Sequence, residues 1–363
     1  MWRWRRLLVL MYNAFWSSFI WRSISLITRL NKLFMKSPFT GKDMKLVCEK
    51  RAWKFRGEAY EYTRRAWLCE DTGEQFTTDE TDDVAYVNVT NQYRAKYGIP
   101  YVDEIVGIRE AYGLSSAKMA LILGMGVNQW RHYEDGEVPS VSNGRMIRSI
   151  SNPNVFLEMV RSAKEQLSER EYNKLESRIL DMCRKYQNDG YNRYDSSRIF
   201  MSPRGIENGF GRCSLDKLKN VMLSILEQCG NVFCTKMNKL LFYIDFLSYR
   251  NSGMSVTGLT YRALSYGPVP ERWDRIYSQF DEILQEPRAI GDKEGIILVR
   301  QTDADMSWLT QAELEIIKVV CERFKDCSSS ELSRLSHDED AWQECISENK
   351  RIPFEYAFSL KAI

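Results

Sequence analysis

Residues 113–139, GLSSAKMALILGMGVNQWRHYEDGEVP, constrain this chain more than any other stretch. Leu114, Met119, Ala120 and Leu123 fall on one side of a short helix beginning near Ser115, whose hydroxyl suits an N-cap. Gly124 and Gly126 bracket a turn, where a left-handed backbone costs glycine least. A second helix, over about 127–134, turns Trp130 and Tyr133 inward at i and i+3. Asn128, Arg131 and His132 then point outward at i, i+3 and i+4, with Gln129 nearby. This is the pattern of a helix-turn-helix, whose second helix enters the DNA major groove. Asn128, Gln129, Arg131 and His132 are therefore the candidate DNA contacts, meeting bases and phosphates. The bland alternative is any two-helix hairpin with glycines in its turn. The GLS opening and the closing YEDGEVP argue against it.

A length of 363 residues suits two or three domains, and 44% apolar residues suffices for ordinary cores. Net charge is +2, which by itself argues neither for nor against nucleic acid. Residues 1–34 carry six basic residues and no acid, so the remainder is moderately acidic, as suits a regulator that also meets a basic partner. The nine cysteines are scattered, and no pair has CxxC spacing. That fits reduced thiols in a cytoplasm rather than a disulfide framework.

The apolar run within residues 1–34 is shorter than a bilayer span requires, and Asn13, Ser17 and Ser18 interrupt it. No small-residue cleavage site follows. Two readings stay open: an amphipathic helix on an anionic membrane surface, or an upstream extension with the true start at Met35. The second is preferred, because everything after Met35 reads as soluble protein. A membrane is expected as a partner only if 1–34 is genuine.

Residues 35–92 read as a small β-rich unit. Runs at 45–49, 53–62, 65–70 and 85–90 alternate or carry aromatics, and Gly41, Gly57 and Gly73 mark turns. Two phrases echo each other: Ser37-Pro-Phe-Thr40-Gly41 and Cys69-Glu-Asp-Thr72-Gly73. In a zinc ribbon each would be CxxC-Gly, supplying four thiolates to a tetrahedral metal. Of those four positions only Cys69 is a cysteine, so no metal and no cofactor is expected. Trp53, Phe55, Tyr60, Tyr62, Trp67 and Phe76 are left to hold the unit.

A degenerate ribbon followed by this helix-turn-helix resembles the MqsA-type antitoxins of bacterial toxin–antitoxin pairs. The likeness covers about residues 35–160, and its most specific phrase is GMGVNQWRHYEDGEVPS. The resemblance implies operator reading by an Asn and by an Arg four residues later. The first matches Asn128; the second position is His132 here, with Arg131 one residue earlier. It also implies a homodimer on a palindromic site, with half-sites one helical turn apart.

Helix continues over 141–187, broken where Pro153 pushes Asn152 out of the α region. Residues 188–213 are a linker by composition. A second domain begins at 214. Leu215, Leu218, Val221, Met222, Ile225 and Leu226 trace one helical face, and Met237, Leu240, Leu241, Ile244 and Leu247 another. A short strand is expected at 256–261 and a helix at 271–280. Capping-box patterns open helices at Thr310 and Ser328.

KLLFYIDFLSY, the TG…Y…A…YGPVP run and SSSELSRLSHDEDAW together resemble the SocA-like, or Panacea, antitoxin domain over about 215–358. The resemblance implies neutralisation of a toxin encoded beside it, directly or by delivery to a housekeeping protease. Tyr243, Asp245, Tyr266, Pro268 and Trp273 are the candidate toxin-binding anchors, being aromatic and charged groups of the kind interfaces depend on. Each has a plain alternative as core or local cap.

Only His132 and His337 are present, and no HExxH, GxSxG, P-loop or GxGxxG occurs, so no enzyme is expected. The expected fold is α+β and mostly α. It comprises the extension 1–34, a β-rich unit 35–92, an Xre-type helix-turn-helix domain with helical extension 93–187, the linker 188–213, and a helical α+β domain 214–363. The expected function is a cytoplasmic antitoxin and repressor of its own operon. A regulator sensing another protein, and a protease adaptor for which the toxin is cargo, are the alternatives.

Overall fold

The computed structural model describes residues 35–189, 202–290 and 293–363. The expectations for 1–34 and for 190–201 of the linker lie outside the described residues. The chain is α+β and mostly α, with small antiparallel sheets and, among the described residues, no closed barrel. It divides into two compact units: 35–52, 61–86 and 202–363 form one, and 53–60 with 87–189 the other.

The first sheet runs β1 (Met35–Lys36), β2 (Asp43–Phe55), β3 (Glu58–Leu68) and β4 (Gln75–Phe76) in sequence order. Two long strands thus account for the separate runs at 45–49, 53–62 and 65–70. The registers Met35↔Met44 and Trp67↔Phe76 bring Met44, Trp67 and Cys69 into a small core, with Met35 and Phe76 against it. In the same compact unit, Lys50 pairs with Glu355 at 3.1 Å and the Arg65 guanidinium lies 4.9 Å over the Phe358 ring.

Residues 85–90 are not a strand. They lie inside helix α1 (Asp79–Tyr97). Thr78 and Thr81 exchange hydrogen bonds across its first turn, and Asp79, Glu80 and Asp82 face the positive end of the helix dipole. Thr81, Val84, Ala85, Asn88 and Val89 are buried at i, i+3, i+4, i+7 and i+8, which is helical spacing.

The smaller compact unit continues with α2 (Val102–Tyr112), α3 (Ser116–Ile122), α4 (Gln129–Glu134), α5 (Val141–Ser149), α6 (Pro153–Ser162) and α7 (Glu169–Asp189). Ser115 and Ser140 accept the amides of Lys118 and Asn143, capping α3 and α5. Asn152 caps α6 with Pro153 at the first helical position, where its missing N–H is harmless. Ile105, Met119, Trp130, Ile147, Phe156, Val160 and Ile179 form a fully enclosed core.

The larger body holds α8 (Leu215–Cys229), β5 (Val232–Phe233), α9 (Cys234–Ser252), β6 (Tyr261–Leu264), β7 (Gly267–Pro270), α10 (Trp273–Tyr277), β8 (Ile283–Ile290), β9 (Lys293–Arg300), α11 (Gln311–Phe324), α12 (Ser329–His337) and α13 (Asp340–Gln343). Its centre is α9, which packs against α11, α12 and β7. Residues 236–249 are buried on every side, so α9 is a core helix rather than the one-faced helix expected. The strand expected at 256–261 starts only at Tyr261, and the helix expected at 271–280 shrinks to α10. Both anticipated capping boxes are present, at Thr310 and Ser328.

Candidate functional site

The turn between α3 and α4 uses Gly124 at φ +65; Gly126, paired with it in the sequence reading, is not left-handed. A further glycine proves stricter. Gly113 caps α2 at φ +64, and a Cβ there would stand 2.2 Å from Arg178 Nη1. Helix α4, expected as the recognition helix, starts at Gln129, two residues later than expected, with Asn128 at its N-cap. Trp130 is wholly enclosed and Tyr133 buried, which turns Asn128, Arg131 and His132 out to solvent, with Gln129 half-buried beside them.

The outward residues are steered by acids at the end of α4. Arg131 Nε stands 3.7 Å from Asp135, and Glu137 takes Gln129 Nε2 at 3.1 Å and lies 3.7 Å from His132 Nδ1. Asn128 makes no capping bond with its side chain. The structure therefore brings Asn128, Gln129, Arg131 and His132 onto one exposed face.

Glu134 was missed. On the inner side of α4 it accepts Trp130 Nε1 at 2.9 Å, Arg109 Nε at 2.5 Å from α2, and Ser116 Oγ at 2.7 Å from α3. One carboxylate thus fixes the angle between three helices. Its only sequence signal was the i, i+4 spacing from Trp130.

The five candidate anchors in the larger body separate. Tyr243 is fully buried, donating to Glu339 at 3.2 Å. Glu339, itself buried, also accepts the amides of Lys361 and Ala362 and so staples the end of the chain. Asp245 is fully buried too. It accepts from the amides of Val256 and Thr257 at 2.9 and 2.8 Å, from Tyr261 at 2.7 Å, and from the Thr257 hydroxyl. Burial outweighs these four donors and raises the carboxyl to about 6. Pro268 is buried within the β6–β7 pair. As folded, Tyr243, Asp245 and Pro268 present no surface to a partner. Tyr266, 66% exposed, and the half-buried Trp273 do. Trp273 lines an open groove of about 350 Å³ with Leu264 and Val269, walled by Arg262, Glu271 and Arg351. Glu271 grips both arginines, accepting Arg262 Nε at 2.5 Å and two Arg351 nitrogens at 2.9 Å.

The positions expected to form a degenerate ribbon also converge. Ser37–Gly41 and Cys69–Gly73 form the same turn twice. Gly41 N donates to Ser37 O at 2.9 Å and Gly73 N to Cys69 O at 2.8 Å, with φ of +69 and +74. Hydroxyls of Ser37, Thr72 and Thr40 hydrogen-bond the Cys69 sulfur and hold its thiol down at about 7. Among the described residues, no group of three or more His, Cys, Asp and Glu side chains is placed to hold a metal ion. No described helix is long and apolar enough to cross a membrane.

Residues 237–343 match the family model described as antitoxin SocA-like, Panacea domain. The match runs from α9 through α13 and includes the groove's Leu264 and Trp273. No curated protein and no solved structure matches the chain.

Proposed function

We propose that this chain is the antitoxin of a type II toxin–antitoxin pair, which grips its own operator as a homodimer through α4 and neutralises a co-encoded toxin through the body around α9. The observation that carries this reading is the antitoxin-like Panacea domain at 237–343. The exposed face of Asn128, Arg131 and His132 on a buried-core helix-turn-helix supports the operator half. In this reading Tyr266, Trp273 and the Leu264 groove meet the toxin, while Tyr243 and Asp245 hold the surface from behind. The chain works by binding in a cytoplasm, with no catalytic step, no metal and no cofactor.

The test is co-expression of the full chain with the adjacent open reading frame. Restored growth, together with a gel shift on the chain's own promoter, is the expected result; neither occurring would remove the proposal. Rescue that disappears in a strain lacking a housekeeping protease would assign the adaptor role instead. Asn128→Ala is expected to cost about 1–3 kcal/mol of promoter binding, the worth of a bidentate base contact. Arg131→Ala, acting on a phosphate, should weaken all sequences alike and reduce the log–log salt slope by about 0.9. A promoter-selective loss would make Arg131 a base reader.

A further inference from the structure

Strands β2 and β3 are joined by a two-residue turn, Arg56-Gly57, at φ +47 and +90. Both central residues are left-handed, as the right-handed twist of a tight hairpin demands, but arginine is an unfavourable occupant of such a position. Its contacts explain it. The Arg56 guanidinium donates to the Pro139 carbonyl at 2.8 Å and to that of Val138, and lies 5.4 and 5.3 Å over the Phe55 and Tyr93 rings. On the other side of the turn, Glu58 accepts Lys96 Nζ at 2.8 Å and the hydroxyls of Tyr60 and Tyr97. The hairpin tip, residues 53–60, is therefore clamped twice and belongs to the same compact unit as α4.

The place of the clamp matters. Val138 directly follows Glu137, the residue that holds Gln129 and His132 on the outward face of α4. One step along the chain thus links the candidate base-reading face to the hairpin tip. At that tip Trp53 and Lys54 are exposed, and no ion pair involves Lys54 among the described residues. In the same compact unit Lys96 pairs with Glu58 and Lys118 with Glu171. An exposed, uncompensated lysine suits a polyanionic wall. With a recognition helix in a major groove about 12 Å wide, an element fixed beside that helix lies over the bordering phosphates.

We propose that the β2–β3 tip is a wing that grips the DNA backbone beside the recognition helix, with Lys54 on a phosphate and Arg56 as the positioning residue. The inference rests on the operator reading of α4. Phosphate contacts of this kind fix register and carry no sequence information.

The test measures full-length chain on its own promoter duplex and on a scrambled duplex of equal length, across a salt series. Lys54→Ala is expected to weaken both duplexes equally, by about eightfold at 0.1 M salt, and to reduce the salt slope by about 0.9. Arg56→Gly keeps the left-handed turn and removes the clamp, so it should give the same loss, and adding Lys54→Ala to it should change little. Lys45→Ala removes the same charge from the other compact unit and should leave binding unchanged. An unaltered slope in Lys54→Ala while Asn128→Ala still weakens promoter binding overturns the wing and spares the operator reading. An equal loss in Lys45→Ala, or a loss confined to the promoter, also overturns it. Wild-type chain that binds neither duplex overturns both.

Discussion

Asp245→Ala is expected to destabilise the larger compact unit by at least about 3 kcal/mol, a large share of the 5–15 kcal/mol that holds an ordinary domain. The carboxylate is fully buried and gathers four donors from residues 256–261, the coil that leads from the central helix α9 into β6. Alanine leaves two amides and two hydroxyls without an acceptor where water is excluded. Asp245→Asn keeps one oxygen for the two amides and should cost less. A urea melt distinguishes the three proteins. Titration gives a second readout. Burial holds Asp245 at about 6, against 3.8 for the free group, so between those values the folded chain keeps a proton that the unfolded chain has lost. Its contribution to stability is full below the lower value and falls as pH rises through the window, levelling above 6. Asp245→Asn removes that slope, so the difference between the two pH profiles isolates it. A difference that is flat from pH 4 to 6 would place the folded carboxyl at its ordinary value. In the cell, Asp245→Ala should lose growth protection and keep promoter binding, because α4 lies in the other compact unit.

That same aspartate shows where sequence reading stops. Asp245 sits in KLLFYIDFLSYR, and an acid amid apolar residues reads equally as an exposed anchor or a buried acceptor until its donors are known. The donors lie eleven to sixteen residues away, where a strand was expected and the chain instead runs as coil up to Tyr261, so nothing in the pattern aimed them at Asp245. Short-range features were legible. Ser115, Thr310 and Ser328 each announced a helix start because a cap and its recipient amide are three residues apart. The outward trio on α4 was legible because Trp130 and Tyr133 fix the rotation of a single short helix. The helix over 85–90 was hidden by its β-branched residues, Val84, Val87, Val89 and Thr90, whose local preference favours a strand. Hairpin β8–β9 was also hidden, since ILQEPRAI has no alternation and carries Pro287. The hydroxyl cluster around Cys69 lay between these cases: the paired phrases were visible, and the gathering of Ser37, Thr40 and Thr72 on one sulfur was not.

Trp130→Ala should abolish operator binding by a route unlike that of any surface variant. Helix α4 has six residues, too few to hold its shape in water without tertiary support. Trp130 supplies much of that support, as the largest wholly enclosed side chain among the described residues, packed into the core with Ile105, Met119 and Ile147. Truncating it costs about 3–5 kcal/mol in cavity and lost burial. The loss also strips one donor from Glu134, which then binds α2 and α3 through Arg109 and Ser116 alone. Trp130→Phe keeps most of the ring and forfeits only the indole N–H, so about 1.5–3 kcal/mol is expected from the hydrogen bond to a charged acceptor. The three proteins should therefore rank in both melting temperature and promoter affinity, with the phenylalanine variant between the others. Asn128→Ala, by contrast, should lower affinity with no change in melting. Growth protection should survive Trp130→Ala, because the groove proposed to meet the toxin belongs to the other compact unit. A Trp130→Ala protein that melts like wild type and still shifts its promoter would show that α4 is positioned by something other than its buried tryptophan.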